Sequence, residues 1–194
     1  MENISRKFDH LFKVISKKGF LNKESLGGEI PFFISPYNAK QEIQIRESIG
    51  LLKNKLSNHG IEVLEINLFD LSCELLESSG GLERMYMVER KKGSQKFLRA
   101  LQSSLNIHEV LVPKIKEIIN SSNSKVYFLT GIGLVFPFIR SHNILNNLQS
   151  VAKESPTVAF FPGDNNGHTL NLFGLLKDDN YYRAFNIDKI EAKS

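Results

Sequence analysis

The sequence lacks the hydrophobic segments that membrane-spanning and secreted proteins need. Its longest uninterrupted apolar run, Leu134–Ile139, includes a proline and is far shorter than the roughly 20 residues that cross a bilayer. The N-terminal segment MENISRKFDHLFKVISKKGF contains acidic residues and lacks the apolar core of about 7 to 15 residues that a secretory signal requires. We therefore predict a protein that is not associated with a membrane and works in the cytoplasm.

Cysteine is nearly absent. The single residue, Cys73, excludes an internal disulfide bond and fits a reducing compartment such as the cytoplasm. Its neighbours Leu71 and Leu75 follow a helical pattern. The expected role of Cys73 is therefore plain packing in the hydrophobic core.

A complete phosphate-binding loop is also missing. The segment FLTGIGLVFPFIRSH, residues 128–142, is typical of a strand followed by a glycine turn and a helix. After Gly131 and Gly133, however, Val135–Phe138 occupy the positions where a P-loop needs lysine and a hydroxyl. The dinucleotide fingerprint fails as well, because its third glycine would fall at Phe136. ATP hydrolysis by this route is not expected.

Two interpretations of Gly131 and Gly133 stay open. Backbone N–H groups of a helix that begins near Pro137 could hold an anion, with Arg140 one turn further on. Alternatively, both glycines serve only the tight turn and the close packing of strand against helix.

Catalytic and metal-binding patterns are absent too. Side chains of suitable ligand type occur at Asp164, Asp178, Asp179, His142 and His168, but their spacing matches no familiar metal site. No serine lies in a Gly-x-Ser-x-Gly elbow. We therefore predict no metal, no cofactor and no catalytic residue, which makes the protein a non-enzyme. A metal-dependent hydrolase using Asp164 and Asp178 is a remote alternative.

The chain has what a folded α/β domain requires. It contains 194 residues, 41% hydrophobic and 24% charged, which fits a single domain over residues 1–194. Four apolar segments predict strands: IPFFISP, IEVLEINLF, KVYFLT and TVAFFP. Helical spacing predicts an amphipathic helix at 2–18 with its lysines on the outer face, a helix at 38–58, a helical block at about 70–122 in which Asp70 caps the first helix, and a helix at 135–150.

This order predicts a three-layer α/β sandwich with a mostly parallel sheet. The fold would be a degenerate relative of P-loop NTPases or Rossmann proteins, with the block at 70–122 as a helical insertion. The weaker segments TLNLFG and YYRAFNI would add one or two edge strands.

Positive charge is modest in total but clustered. The formal net charge is +4. Five basic residues surround a predicted helix break at Gly93–Ser94: Arg90, Lys91, Lys92, Lys96 and Arg99. This basic corner is either a solvated surface or a site of phosphate contact.

Two polar stretches are candidates for binding a partner or ligand. In RSHNILNNLQ, residues of low helix propensity crowd one helix, which suggests that they bond either to their own domain or to another molecule: Arg140, Ser141, His142, Asn146 and Asn147. In LLKDDNYYRAF, a turn is followed by residue types that anchor interfaces: Asp178, Asp179, Asn180, Tyr181, Tyr182 and Arg183. The simpler interpretation of the second stretch is one core tyrosine, one surface tyrosine and a solvated loop.

These two stretches also carry a resemblance. The segments FLTGIGLVFPFIRSHNILNNLQ (128–149) and FFPGDNNGHTLNLFGLLKDDNYYRAF (160–185) resemble the BrxB family of bacterial BREX phage-defence systems, and the signature region extends over about 125–187. The sequence departs from the family pattern near Asn165 and Asn166.

The resemblance implies a cytoplasmic accessory subunit encoded beside an adenine-specific DNA methyltransferase, a large ATPase and the alkaline-phosphatase-like protein PglZ. It implies no catalytic residue. The expected function is therefore protein binding, with PglZ favoured among the BREX proteins, in support of phage restriction and host DNA methylation. The alternative is a nucleotide-sensing or nucleic-acid-binding domain.

Overall fold

The computed structural model describes residues 3–24, 31–165, 169–178 and 184–191. Within these ranges lie seven α-helices: α1 (Ile4–Ile15), α2 (Lys18–Leu21), α3 (Glu42–Ser57), α4 (Leu68–Ser78), α5 (Leu82–Ser104), α6 (Val112–Asn120) and α7 (Ser141–Val151). The same ranges contain seven strands: β1 (Phe32–Tyr37), β2 (Val63–Asn67), β3 (Val126–Thr130), β4 (Thr157–Asn165), β5 (Leu170–Leu172), β6 (Leu176–Asp178) and β7 (Phe185–Asn186). None of the helices in these ranges has the length and apolar character that a bilayer span requires.

The sheet is mostly parallel, as predicted. Its main path is β2-β3-β4-β1-β7, with every pair along it parallel. β5 runs antiparallel to the end of β4, and β6 pairs with β5. The interior strand β3, between β2 and β4, is buried along its whole length, which explains why its sequence is a continuous apolar run. The relation to P-loop or Rossmann proteins stays a prediction.

Helices cover both faces of the sheet, so the three-layer prediction is also confirmed. On one face, α1 and α3 pack against the alternate strand residues Phe33, Phe128 and Phe160. On the other face, α4, α6 and α7 pack against the intervening positions, such as Phe32 and Phe161. The two-residue alternation of side chains along each strand supplies both cores.

The helical block lies between the neighbouring strands β2 and β3. Its longest helix, α5, breaks at Gly93, where φ is 75° and ψ is 169°, so the predicted break is confirmed. The two α5 segments pack beside α4 around a small third core that includes Met85 and Leu101.

Two local predictions are wrong. Asp70 does not cap α4, because the Asn67 side chain accepts hydrogen bonds from the backbone N–H groups of Phe69 (3.0 Å) and Asp70 (3.3 Å). The helix predicted at 135–150 begins only at Ser141, and residues 131–140 form turns. A proline disfavours the helical backbone conformation of the residue before it, which here is Phe136. A helix therefore does not readily begin before Pro137.

Candidate functional site

The glycine turn after β3 is packed closely on both sides. Gly131 has a φ of 73°, and a Cβ atom built there would lie 2.4 Å from Asn67 Oδ1. A Cβ atom at Gly133 would lie 2.8 Å from Pro162 Cγ. This geometry agrees with the structural interpretation of the two glycines. The proposed helix N-terminus near Pro137 is wrong, and anion binding at the turn stays a prediction.

The rest of the turn is apolar and partly buried. Val135 and Ile139 belong to the hydrophobic core. Phe136 makes an edge-to-face contact with Phe173, with 6.1 Å between ring centroids. Pro137 is exposed. Apolar side chains therefore stand at the sequence positions where a P-loop needs lysine and a hydroxyl group.

The polar candidates on α7 divide between internal and external roles. Asn147 donates a hydrogen bond to the Asn143 carbonyl at 2.7 Å, and Ser141 is buried. His142 is half-buried, whereas Arg140 and Asn146 are exposed. The helix therefore presents Arg140 and Asn146 to solvent, and a binding role for these residues stays a prediction.

The second polar stretch is only partly described. Asp178 ends β6, where its backbone pairs with Leu170. The remaining candidates lie outside the described residues: Asp179, Asn180, Tyr181, Tyr182 and Arg183. His168, considered above as a metal ligand, lies outside them as well.

A polar crevice of about 410 Å³ opens at the carboxyl ends of β1 and β4, where open α/β sheets bind ligands. Asp188 lines it and accepts a hydrogen bond from Lys7 Nζ at 2.6 Å. Tyr37 also lines it and donates to Glu42 Oε2 at 2.5 Å. Burial, reinforced by the Glu42 carboxylate, raises the pKa of the Tyr37 phenol well above its usual range. In each pair, the two side chains are therefore hydrogen-bonded to each other within the fold.

A second cavity, of about 480 Å³, lies beside the edge strand β2. Its central carboxylate, Glu65, pairs with Lys53 at 2.6 Å and accepts a hydrogen bond from the Thr130 hydroxyl at 2.9 Å. Across the part of the chain that the structure describes, no three His, Cys, Asp or Glu side chains form a group that could hold a metal ion.

The basic corner is fully on the surface. All five of its side chains, Arg90, Lys91, Lys92, Lys96 and Arg99, are exposed. They lie on either side of the Gly93 break, so the two segments of α5 bring them to one end of the helical block. The structure therefore offers a positively charged surface that the packing of the core does not use.

A third cavity, the apolar groove, lies between α4, the two segments of α5 and the turn after β3. It has a volume of about 550 Å³. Representative lining residues are Phe69, Cys73, Tyr86, Phe97, Leu98 and Pro137. Two of these aromatic side chains are largely open to solvent, Tyr86 at 54% and Phe69 at 40%. Of the three cavities, the apolar groove has the least polar lining.

Cys73 lines this groove and is half-buried, so the prediction of plain core packing is wrong. Burial, and secondarily the charge of Asp70, raises the pKa of the Cys73 thiol. The neutral thiol therefore predominates near pH 7, and the side chain contributes apolar surface to the groove.

Sequence reasoning missed the groove residues as a group. Tyr86, which lines the groove, and its neighbour Met87 are both more than half exposed. The available signal was the consecutive apolar run Met85–Val88, because four adjacent residues of a helix cannot all point into one core.

The chain is similar to proteins of a known family. The matching family model is described as "BREX protein BrxB" and covers residues 64–187, which include the groove and the basic corner. A protein described as BREX protein BrxB, from Bacillus cereus (strain H3081.97), is 39% identical over 97% of this chain and 100% of its own length. Another of the same description, from Escherichia coli O9:H4 (strain HS), is 30% identical over 89% of this chain and 86% of its own. No solved structure matches the chain. The family model and both relatives agree, and the chain belongs to the BrxB family of BREX proteins.

Proposed function

We propose that this protein is a cytoplasmic accessory subunit of a BREX phage-defence system and acts by binding another protein of that system. The favoured direct partner is the alkaline-phosphatase-like protein PglZ, and the complex would support phage restriction and host DNA methylation. The observation that carries the proposal is the apolar groove, which leaves Tyr86 and Phe69 exposed beside each other's helices at one surface of the domain. Aromatic residues of this kind are enriched at the centres of protein interfaces.

We also infer that the subunit supplies no catalytic step of its own. In support, the segment after β3, where a P-loop would lie, contains the buried Val135 in place of a polar residue. The two glycines of this segment are enclosed by neighbouring side chains. A protein-binding role requires only that these residues form a stable turn.

Co-purification tests the proposed function directly. This chain carries an affinity tag, and each other component of its BREX system is co-expressed with it in turn. We expect one component to co-elute with it on size-exclusion chromatography, and PglZ is the favoured candidate. Elution of the chain alone beside every component would refute the proposal. Co-elution with a component other than PglZ would retain protein binding and correct the partner.

The basic corner favours a second candidate function, nucleic-acid binding. Exposed lysine and arginine side chains release counterions from a phosphate backbone, so binding would weaken steeply as salt increases. This candidate predicts a DNA or RNA shift at low salt that is lost when Lys91, Lys92 and Lys96 are changed together to glutamate. The same charge reversal at Lys13 and Lys18, exposed on the N-terminal helices, is the control. No shift at low salt would eliminate the candidate.

A further inference from the structure

The main path of the sheet ends at β2 with an open edge. In the described part of the chain, the five residues of β2 pair with β3 and with no other strand. The strand at the opposite end of the path, β7, has only two residues. An open edge strand presents its outer N–H and C=O groups to a strand of another molecule. β2 is therefore the longer of the two edges on which such pairing is possible.

The hydrogen bonds to β3 show which backbone groups of β2 point outward. The Glu62 carbonyl, one residue before β2, accepts a hydrogen bond from the Lys125 N–H at 3.0 Å, one residue before β3. Successive residues of a strand direct their N–H and C=O groups to opposite sides, so Leu64 points to β3, whereas Val63 and Glu65 point away from it. Among the described residues, no other group bonds to these outward N–H and C=O groups.

The cavity of about 480 Å³ beside β2 leaves room for another backbone between α3 and α4. Gly50, inside α3, lines this cavity and is exposed. A glycine inside a helix costs about 1 kcal/mol relative to alanine, yet no atom lies within 4 Å of a Cβ built at Gly50. Packing within the described chain therefore does not require this glycine, and its missing side chain keeps the approach to β2 open.

The two helices that flank the cavity carry opposite charge. Two basic residues line it from α3 and two acidic residues line it from α4: Arg46, Lys53, Asp70 and Glu74. Lys53 is already paired with Glu65 of β2, and Glu74 interacts electrostatically with Lys114 of α6. The side chains of Arg46 and Asp70 form no ion pair or hydrogen bond with any described residue. One unpaired charge of each sign thus lies on each side of the edge.

We infer that the partner protein adds an extended segment to β2, with an acidic side chain facing Arg46 and a basic side chain facing Asp70. The inference rests on the proposed function and specifies how the partner binds. Successive side chains of a strand point to opposite sides, so a single extended segment meets both walls. In this binding mode, main-chain hydrogen bonds supply affinity and the alternate side chains supply specificity.

Helix α4 lies between this edge and the apolar groove. Asp70 and Glu74 line the cavity beside β2, while Cys73 and Leu76 of the same helix line the groove. An α-helix with its side chains is about 10 Å wide. One partner can therefore contact the groove and extend a strand to β2.

A second copy of this chain fits the edge less well. A closed dimer would pair two β2 strands antiparallel about a two-fold axis, which brings the two α4 helices to the same side of the joined sheet. α4 contains three acidic residues and no basic residue. Like charges would then face each other across the interface, and this is costly.

Amide hydrogen exchange followed by NMR tests the inference on the unmodified chain. In the free chain, we expect the amides of Val63 and Glu65 to exchange quickly and those of Leu64 and Ile66 to exchange slowly. In the complex with the BREX component that co-elutes, exchange at Val63 and Glu65 should slow by about tenfold or more. Unchanged exchange at both amides in that complex would overturn the inference and leave the proposed function intact. Protection that appears without a partner as the protein concentration rises would assign the edge to a second copy and also overturn it.

Two variants block the edge while they retain the bonds between β2 and β3. Val63→Pro removes an outward donor, and an edge strand tolerates proline where its N–H faces solvent. Val63→Ala shortens the same side chain but keeps the donor, so it is the control. Gly50→Gln fills the approach to β2, and its control is Asn54→Gln, at an exposed position of α3 outside the cavity.

We expect Val63→Pro and Gly50→Gln each to weaken binding of the co-purified partner by about tenfold, and both controls to stay within about twofold of the parent chain. Gly50→Gln should also raise the thermal stability of the free chain, because glutamine forms helix more readily than glycine. Its loss of binding then cannot result from unfolding. Full binding by the Gly50→Gln variant would overturn the inference.

Synthetic peptides make the test independent of the partner's identity. Two peptides of about eight residues have the same composition of glutamate, lysine, threonine and valine. In one, all glutamates lie on one side of the extended peptide and all lysines on the other; in the second, both charges are mixed on both sides. We expect the first peptide to bind about fivefold more tightly and to protect the amides of Val63 and Glu65. Asp70→Lys should abolish this preference, whereas Glu47→Lys, at an exposed position of α3 outside the cavity, should retain it.

Equal affinity of the two peptides for the parent chain would overturn the inference. If no BREX component co-elutes but the first peptide binds at β2, the edge assignment is supported and only the proposed function fails.

Discussion

Replacement of Lys7 by methionine is expected to lower the free energy of unfolding by about 3 kcal/mol. Lys7 lies on α1, and its side chain is only 3% exposed. Its Nζ donates to Asp188 Oδ2 at 2.6 Å and to the Pro36 carbonyl at 2.8 Å. The pair therefore ties the first helix to the end of β1 and to the 3-10 turn at Ile187–Lys189 near the C-terminus. Without Lys7, the Asp188 carboxylate, which is 23% exposed, loses this ion pair.

Urea denaturation of the variant and the parent chain measures this difference. Asp9→Asn on the same helix is the control, because its ion pair with Lys55 spans 3.5 Å and Asp9 is 63% exposed. Exposed pairs contribute little, so we expect the control to change stability by about 0.5 kcal/mol or less. Adding Asp188→Asn to Lys7→Met should cost less than the sum of the two single changes. A loss below about 1 kcal/mol for Lys7→Met would contradict the assignment of a buried pair.

Replacement of Gly131 by alanine is expected to destabilise the protein by a similar amount. The positive φ of 73° costs an alanine about 1 to 2 kcal/mol. The new methyl group would also be only 2.4 Å from Asn67 Oδ1, so the side chain that caps α4 must move. Loss of an N-cap costs about 1 kcal/mol, and the combined loss should be about 3 kcal/mol.

Gly60→Ala separates the two contributions. Gly60 has nearly the same φ, 74°, but no atom lies within 4 Å of a Cβ built there. Alanine at this position therefore has only the cost of the positive φ, and we expect the free energy of unfolding to fall by about 1 kcal/mol. Chemical denaturation of both variants gives the comparison. Equal losses at Gly60 and Gly131 would show that the contact with Asn67 does not contribute.

The strands of the central sheet could be predicted from sequence because each is a short apolar run. β1, β2, β3 and β4 all fall within or overlap the predicted segments, and the helical block lies between β2 and β3 as expected. The break at Gly93 was predictable too, since glycine adopts positive φ without strain. The starts of helices were less predictable. Asn67 and Asp70 are both good capping residues by type, and only the backbone conformation decides which one caps.

The candidate sites show a similar division. The sequence located the basic corner correctly on the surface, because five charges around a glycine are not buried without partners. It placed the lysines of the N-terminal helix on the outer face, and for Lys7 this was wrong. A long side chain can extend to a partly buried partner 181 positions away, and no local sequence pattern identifies that partner.

By itself, the sequence determined the α/β class, the order of the sheet-forming segments, the loss of the P-loop lysine and the resemblance that family comparison established. These properties follow from local composition and residue spacing. Only the tertiary structure decided that Lys7 is buried, that Gly131 lies against the cap of α4, and that Tyr86 and Phe69 border an open groove. Periodicity states which face of a helix is apolar, but not which element, if any, of the same chain covers that face.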